Sequence, residues 1–299
     1  MIEEPSRRSH PRFRELIKSY FLGSSNEFAL GLLKVSRAAT PQEYLRIVKL
    51  SNSALLLPVL RAFPRTNLET LVNWSAPARR MTKRALQVAG TPKKYSRMDS
   101  TPGLRVFSML HTSDAIVIFT GLAEVPMMPA PIFLIYTQSI PAVKIFVTPR
   151  NGYVSGFQGF SEQPTQAYQE LFDWLVTNKY RVVGVIGTSA GALTAFRFGR
   201  LFNLGPVYAV GPSDPTHSKS WAAALDSSIE ERIENSSAQC IIIVGGEADA
   251  DVRGSKVLEK QFSNVETIVY PGESHAVAGR WLSGGYEFAE IRAKIGEQG

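Results

Sequence analysis

From about residue 94 onward, the sequence is a series of short, almost wholly apolar runs separated mostly by stretches of helical periodicity. The runs occupy residues 104–110, 115–121, 142–149, 181–187, 207–212, 240–246 and 266–272. The helical stretches occupy residues 163–179, 190–203, 221–235 and 284–297. Strands that are apolar throughout have both faces buried, which predicts an α/β fold with a mostly parallel sheet and helices on both faces. The linker HTSD between the first two runs is short enough for a hairpin and predicts an antiparallel edge.

The residues before this part have a different pattern of apolar positions: in residues 12–91 the apolar residues recur at helical spacing, which predicts helices. Thr40, Pro41 and Glu43 form a capping-box pattern with proline at the first helical position, and Gly90 is a stop signal. We therefore divide the chain into a helical segment, residues 1–93, and a domain with the predicted α/β fold, residues 94–299. The segment could cap the carboxyl edge of the sheet, or it could pack elsewhere and aid stability or dimerisation.

Charge is divided unevenly along the chain. Residues 1–100 carry 18 lysines and arginines against seven acidic residues, whereas the remainder carries 15 against 19. The first part is therefore +11 and the second −4, which predicts either a basic arm for an acidic partner or two parts that attract each other. The basic residues are spread through helical patterns rather than clustered in a nucleic-acid motif, so no nucleic-acid partner is expected.

Several broad classes of protein are disfavoured by composition. The single cysteine, Cys240, excludes an internal disulfide framework and indicates a reducing compartment. The first residues lack the apolar core of a secretory signal. The most apolar stretch, residues 115–136, contains Glu124 and three prolines, which disfavours a membrane-spanning helix. We expect a soluble, cytoplasmic protein without a cofactor or metal, and leave a homo-oligomer open.

Ser189 lies between Gly187 and Gly191, where an apolar run ends and a helical stretch begins. A serine hydroxyl becomes a useful nucleophile only when it is exposed and a base removes its proton. A sharp strand-to-helix turn gives that exposure, and its crowding demands very small residues two positions before and two after. The alternative is a purely structural glycine-rich turn. A phosphate-binding P-loop is disfavoured because no lysine follows the glycines.

The GTSAG motif and its surroundings resemble the nucleophile elbow of the α/β-hydrolases, and the resemblance extends over residues from about 100 to 299. In that family the order is serine, acid, histidine. The segment GEADADV resembles the acid turn and implies Asp249 as the acid, while ESHAVAGRW resembles the histidine loop and implies His275 as the base. Asp251, Glu247 and Asp214 remain alternatives for the acid.

The resemblance also implies two backbone N–H groups that stabilise an oxyanion. One would belong to Ala190, and the other to Leu122 in the loop after the run 115–121. The family commonly has His-Gly in that loop, and this chain has Thr120 and Gly121, so the glycine alone is retained. Gly121 is accordingly a candidate substrate contact.

Three more side chains are candidates for contact with substrate. Met127 and Met128 could line an acyl pocket, or they could simply pack in the core. His217 follows the run 207–212 and so belongs to the same edge of the sheet as the nucleophile.

These patterns predict a serine hydrolase that cleaves a carboxylic ester or thioester through an acyl-enzyme on Ser189. Its partner would be a small-molecule or carrier-bound acyl substrate. The same residues would allow acyl transfer to an alcohol or amine, or attack on a lactone or a C–C bond. A non-catalytic scaffold that binds an acidic partner through the basic helices is the alternative from another class.

Overall fold

The computed structural model describes residues 25–50, 65–98, 101–109, 111–222, 225–283 and 288–296. Two parts of the region predicted to be helical, residues 12–24 and 51–64, lie outside the described residues. Within the described residues, every helix is too short or too polar to cross a lipid bilayer.

One sheet of eight strands dominates the described part of the chain. The strands are β1 Ser96–Met98, β2 Leu104–Ser108, β3 Asp114–Phe119, β4 Val143–Val147, β5 Arg181–Thr188, β6 Val207–Val210, β7 Cys240–Gly245 and β8 Val265–Tyr270. Their order across the sheet is β1-β2-β4-β3-β5-β6-β7-β8. From β4 to β8 the neighbours are parallel, so the predicted mostly parallel sheet is confirmed.

The antiparallel edge exists, but the predicted hairpin is wrong. Strand β2 pairs with β1 and with β4, antiparallel in both cases, and β4 lies between β2 and β3. The linker HTSD therefore joins two strands that are not neighbours. A short linker limits the distance between strand ends, but it does not prevent a later strand from inserting between them.

Helices cover both faces of the sheet. They are α1 Ser25–Ala38, α2 Pro41–Leu50, α3 Arg65–Ala89, α4 Ala130–Tyr136, α5 Pro164–Thr177, α6 Ala190–Leu201, α7 Lys219–Ala222, α8 Ser227–Glu234, α9 Asp249–Gln261, α10 Ala278–Ser283 and α11 Ala289–Gly296. Side chains of β3 alternate between two apolar clusters, with Ile116 and Ile118 in one. Ala115, Val117 and Phe119 belong to the other. Helices α1–α4, α10 and α11 pack on the first face, and α5, α6, α8 and α9 on the second.

The N-terminal helices are part of the first cluster. The capping box at α2 forms as predicted: the N–H of Thr40 donates to Glu43 Oε2 (2.8 Å), and the N–H of Glu43 donates to Thr40 Oγ1 (3.3 Å). Helix α3 runs without interruption through Pro77 and is followed by Gly90, whose φ is 74°. All three helices contact α4, which follows β3.

Lys144 is an unusual component of this sheet, because its side chain is completely buried. Its ammonium group donates to the carbonyls of Ile140 and Ala142. Burial, together with a smaller effect of the nearby charge of Lys93, lowers the pKa of Lys144 from 10.5 to about 7. Above about pH 7 the folded protein therefore releases a proton that the unfolded chain keeps until pH 10.5, so stability rises with pH in this window.

We expect the substitution Lys144→Met to remove this rise. Between pH 7 and pH 9 the free energy of unfolding of the wild type should increase by up to about 2–3 kcal/mol relative to the variant. Urea unfolding at the two pH values measures the difference. The exposed Lys256 supplies the control, Lys256→Met, which should follow the wild type. Equal pH dependence of wild type and Lys144→Met would contradict the prediction.

Candidate active site

Ser189 occupies the turn between β5, which ends at Thr188, and α6, which begins at Ala190. Its backbone has φ 53° and ψ −123°, a conformation that is strained for a residue with a side chain. The N–H of Ser189 donates to the carbonyl of Val210 in β6 (2.9 Å), which fixes the turn to the neighbouring strand. This contact with the sheet stabilises the strained turn. The turn places Ser189 at the carboxyl edge of the sheet, where reactive groups collect in such folds.

The two flanking glycines are required by close approach. A Cβ on Gly187 would lie 2.7 Å from Cα of Ala192 in α6. A Cβ on Gly191 would lie 2.6 Å from the carbonyl oxygen of Thr120, at the end of β3. The crowding that the Gly-x-Ser-x-Gly pattern predicts is therefore present on both sides of Ser189.

A continuous line of hydrogen bonds runs from Ser189 through His275 to a carboxylate. Nε2 of His275 lies 2.9 Å from Oγ of Ser189, and Nδ1 lies 2.7 Å from Oδ2 of Asp251. The Asp251 side chain is 6% exposed, whereas that of His275 is 45% exposed. The hydrogen bond and the charge of Asp251 raise the pKa of His275, with burial opposing them. This arrangement can orient the imidazole, accept the serine proton and stabilise the resulting cation.

The carboxylate that bonds His275 is Asp251, not Asp249 as the resemblance implied. Helix α9 begins at Asp249, so the two residues are already on a helix, where positions two apart point about 200° from each other. Asp251 consequently faces inward and is 4% exposed, while Asp249 is exposed to solvent.

The other two alternatives for the acid do not contact His275 either. Glu247 is exposed. Asp214 accepts hydrogen bonds from the N–H and the hydroxyl of Thr216, within its own turn. Asp251 is therefore the candidate that the geometry favours.

The loop that carries His275 is fixed against the end of β7. The backbone of Glu273 and Ser274 passes so close to Gly245 that any Cβ there would collide with their carbonyls. The N–H of Glu247 donates to the carbonyl of Glu273 (3.0 Å), and the N–H of Val277 donates to that of His275 (2.9 Å). The imidazole thus rests on a loop held by backbone contacts.

The loop of residues 120–129, here the β3–α4 loop, also lies next to Ser189. A Cβ on Gly121 would lie 3.5 Å from Cβ of Ser189. The hydroxyl of Tyr153 donates to the carbonyl of Thr120 (2.8 Å), and the N–H of Gly121 donates to the carbonyl of Val125 (3.1 Å). These bonds hold the first turn of the loop beside the nucleophile.

Both predicted oxyanion donors lie in this region. Ala190 is the first residue of α6, where the backbone N–H has no partner within the helix. Leu122 follows Gly121, and its side chain is 69% exposed. Within the described part of the chain, no hydrogen bond occupies either N–H group. Their role as oxyanion donors stays a prediction.

The three side chains that were predicted to contact substrate differ in position. Met127 is half-buried, and its methyl group lies next to Gly211, which is also in contact with the His275 loop. Met128 is 5% exposed and packs in the first apolar cluster, which favours the core interpretation for this residue. His217 is exposed, in a short 3₁₀ helix that begins at Pro215.

The chain was compared with known protein families, curated proteins and solved structures. No protein-family model and no curated protein matches the chain. Similar solved structures include an α/β serine hydrolase homologue from Coxiella burnetii, which is 13% identical with a TM-score of 0.44, over 68% of this chain and 98% of that one. An esterase from M. tuberculosis is 11% identical with a TM-score of 0.47, over 73% and 97%. The 2,6-dihydroxy-pseudo-oxynicotine hydrolase is 10% identical with a TM-score of 0.47, over 93% of each chain.

At these identities the likeness concerns the fold alone. The strand order, the antiparallel second strand and the helices on both faces identify the α/β-hydrolase fold in this chain itself, so the predicted fold class is confirmed.

Proposed function

We propose that the protein is a serine hydrolase that cleaves a carboxylic ester or thioester, with Ser189 as nucleophile, His275 as general base and Asp251 as the acid. The observation that carries the proposal is the line of hydrogen bonds Ser189–His275–Asp251, with 2.9 Å and 2.7 Å between the bonded atoms. It joins three residues that follow the carboxyl ends of β5, β7 and β8 in separate parts of the chain. A structural turn alone would not need a partly exposed imidazole at the serine hydroxyl.

The chemistry follows from these positions. His275 Nε2 removes the proton from Ser189 Oγ as the oxygen attacks the acyl carbon, and Asp251 stabilises the imidazolium that results. The N–H groups of Ala190 and Leu122 stabilise the negative oxygen of the tetrahedral intermediate, and the positive end of α6 adds to this effect. His275 then returns the proton to the leaving alcohol or thiol. Water, activated by the same imidazole, releases the acid from Ser189.

A fluorophosphonate probe tests the nucleophile directly, because it reacts only with an activated serine hydroxyl. We expect the wild type to be labelled and the Ser189→Ala variant to remain unlabelled. Ser237→Ala is the matched control, since that hydroxyl is exposed and bonds Asn203 away from the site; it should be labelled like the wild type. Labelling that persists in Ser189→Ala would overturn the assignment.

A further inference from the structure

A polar cavity that does not include Ser189 or His275 lies beside the β3–α4 loop. Its volume is about 500 Å³, and it is bounded by the end of α1, by β1 and β2, and by Glu124 of that loop. Its charged lining consists of Lys34, Arg37, Arg97, Arg105 and Glu124. Among the described lining residues, four cations therefore accompany one carboxylate.

The Glu124 carboxylate forms no ion pair with the most buried of these cations, Arg105, among the described contacts. Glu124 forms its ion pair with Arg37 (3.2 Å). Arg105 is 8% exposed and donates instead to two backbone carbonyls, those of Arg37 and Glu124. Its Nε is buried and has no hydrogen-bond partner among the described residues. A buried guanidinium without a carboxylate partner is costly, so an added anion would stabilise it.

Repulsion among the arginines that line the cavity also favours the binding of an anion there. The pKa of Arg105 is lowered to about 10, chiefly by burial; of the nearby charges, Glu124 raises this pKa, and Arg37 and Arg97 lower it. An anion placed between like charges reduces their repulsion.

Capping of helix α1 explains only part of the cluster. Arg97 donates to the carbonyl of Ala38 (3.0 Å), and Arg105 to that of Arg37, as expected for basic residues at a helix C-terminus. Capping does not require Lys34, which lies one turn earlier in α1. It also leaves a cavity large enough for a small ligand, with the hydroxyl-bearing Thr148 in its lining.

We propose that this cavity binds an anionic group of the phosphate or carboxylate class, held by Lys34, Arg37, Arg97 and Arg105. Guanidinium groups bind both anions through paired N–H donors, and a lysine adds a point charge. The site is distinct from the Ser189 centre, because neither Ser189 nor His275 contributes to its lining.

The proposed site is connected to the candidate oxyanion loop. Arg37 donates from Nε to the carbonyl of Ala123 (2.9 Å), and Arg105 donates to that of Glu124 (2.7 Å). The same two guanidiniums would bind the anion, which would compete with the Glu124 carboxylate for Arg37. Occupancy would thus alter the contacts that hold the residues directly after Gly121 and Leu122.

Titration of the purified protein with inorganic phosphate and with pyrophosphate, followed by calorimetry at constant ionic strength, tests the proposal. We expect saturable binding to the wild type and at least tenfold weaker binding to the double variant Lys34→Ala/Arg97→Ala. Both residues are exposed, so the variant should fold. Arg80→Ala/Lys83→Ala on α3 removes the same charge from an exposed face of the N-terminal helices, and it should bind within twofold of the wild type.

Equal weakening in the two double variants would reduce the effect to general attraction and overturn the site, as would the absence of saturable binding to the wild type. Two activity measurements then identify the source of the anion. If the anion is part of the substrate, Lys34→Ala/Arg97→Ala should raise KM for a p-nitrophenyl ester whose acyl chain carries a carboxylate. The same variant should leave KM for p-nitrophenyl acetate unchanged. If the anion is a free effector, added phosphate should change the turnover of p-nitrophenyl acetate by the wild type. These two measurements rest on the proposed function, whereas the binding measurement does not.

Discussion

Replacing Asp251 with asparagine is expected to lower kcat/KM for an ester substrate by about 10³–10⁴-fold, whereas Asp249→Asn should change it by no more than about twofold. The asparagine keeps the size of the side chain but can donate to Nδ1, which stabilises the wrong tautomer of His275 and removes the charge that stabilises its cation. Asp249 has no such contact, because it is exposed at the first position of α9. The pair therefore separates the two assignments of the acid.

The pH profile gives the same variants a second readout. The hydrogen bond and charge of Asp251 raise the pKa of His275. The base works only when neutral, so kcat/KM of the wild type should fall as the pH decreases through this raised pKa. In Asp251→Asn the residual activity should persist to lower pH, while Asp249→Asn should keep the wild-type profile. A larger loss in Asp249→Asn than in Asp251→Asn would contradict the geometry.

The sequence predicts the strands and the nucleophile turn because both depend on local pattern. The runs around β5, β7 and β8 are apolar throughout, and Gly187 and Gly191 identify a turn in which no larger residue fits. Strand pairing is different. Whether β2 neighbours β3 or β4 depends on contacts between segments far apart in the chain, and the four-residue linker HTSD gave no information about an inserted strand.

The choice among the candidates for the acid could not be made from the sequence for a related reason. GEADADV offers two aspartates, and the choice between them depends on where α9 begins. If the helix begins at Asp249, only Asp251 points toward His275. The hydrogen bonds from Arg37 and Arg105 to the β3–α4 loop could not be predicted from any local sequence pattern, because 86 and 19 residues separate the bonded partners.

The substitution Gly191→Ala tests whether the nucleophile turn depends on close packing against β3. Alanine is otherwise favoured over glycine in a helix by about 1 kcal/mol. Here the added Cβ would lie 2.6 Å from the carbonyl carbon of Phe119 and from the carbonyl oxygen of Thr120. Both atoms are backbone, so α6 or the end of β3 must move. We expect the free energy of unfolding to fall by about 3 kcal/mol, as for a strongly overpacked core.

Gly121→Ala is the matched control, because it adds the same methyl group at another glycine next to Ser189. Its Cβ would meet only ordinary contacts, at 3.5 Å from Cβ of Ser189 and from the carbonyl oxygen of Val125, and Gly121 does not have a positive φ. Its stability should stay within about 1 kcal/mol of the wild type. Urea unfolding of both variants measures the contrast, with fluorophosphonate labelling as the readout for the turn itself. If Gly191→Ala retained both wild-type stability and wild-type labelling, the prediction would be wrong. The packing of α6 against Phe119 and Thr120 would then leave room for a methyl group at Gly191.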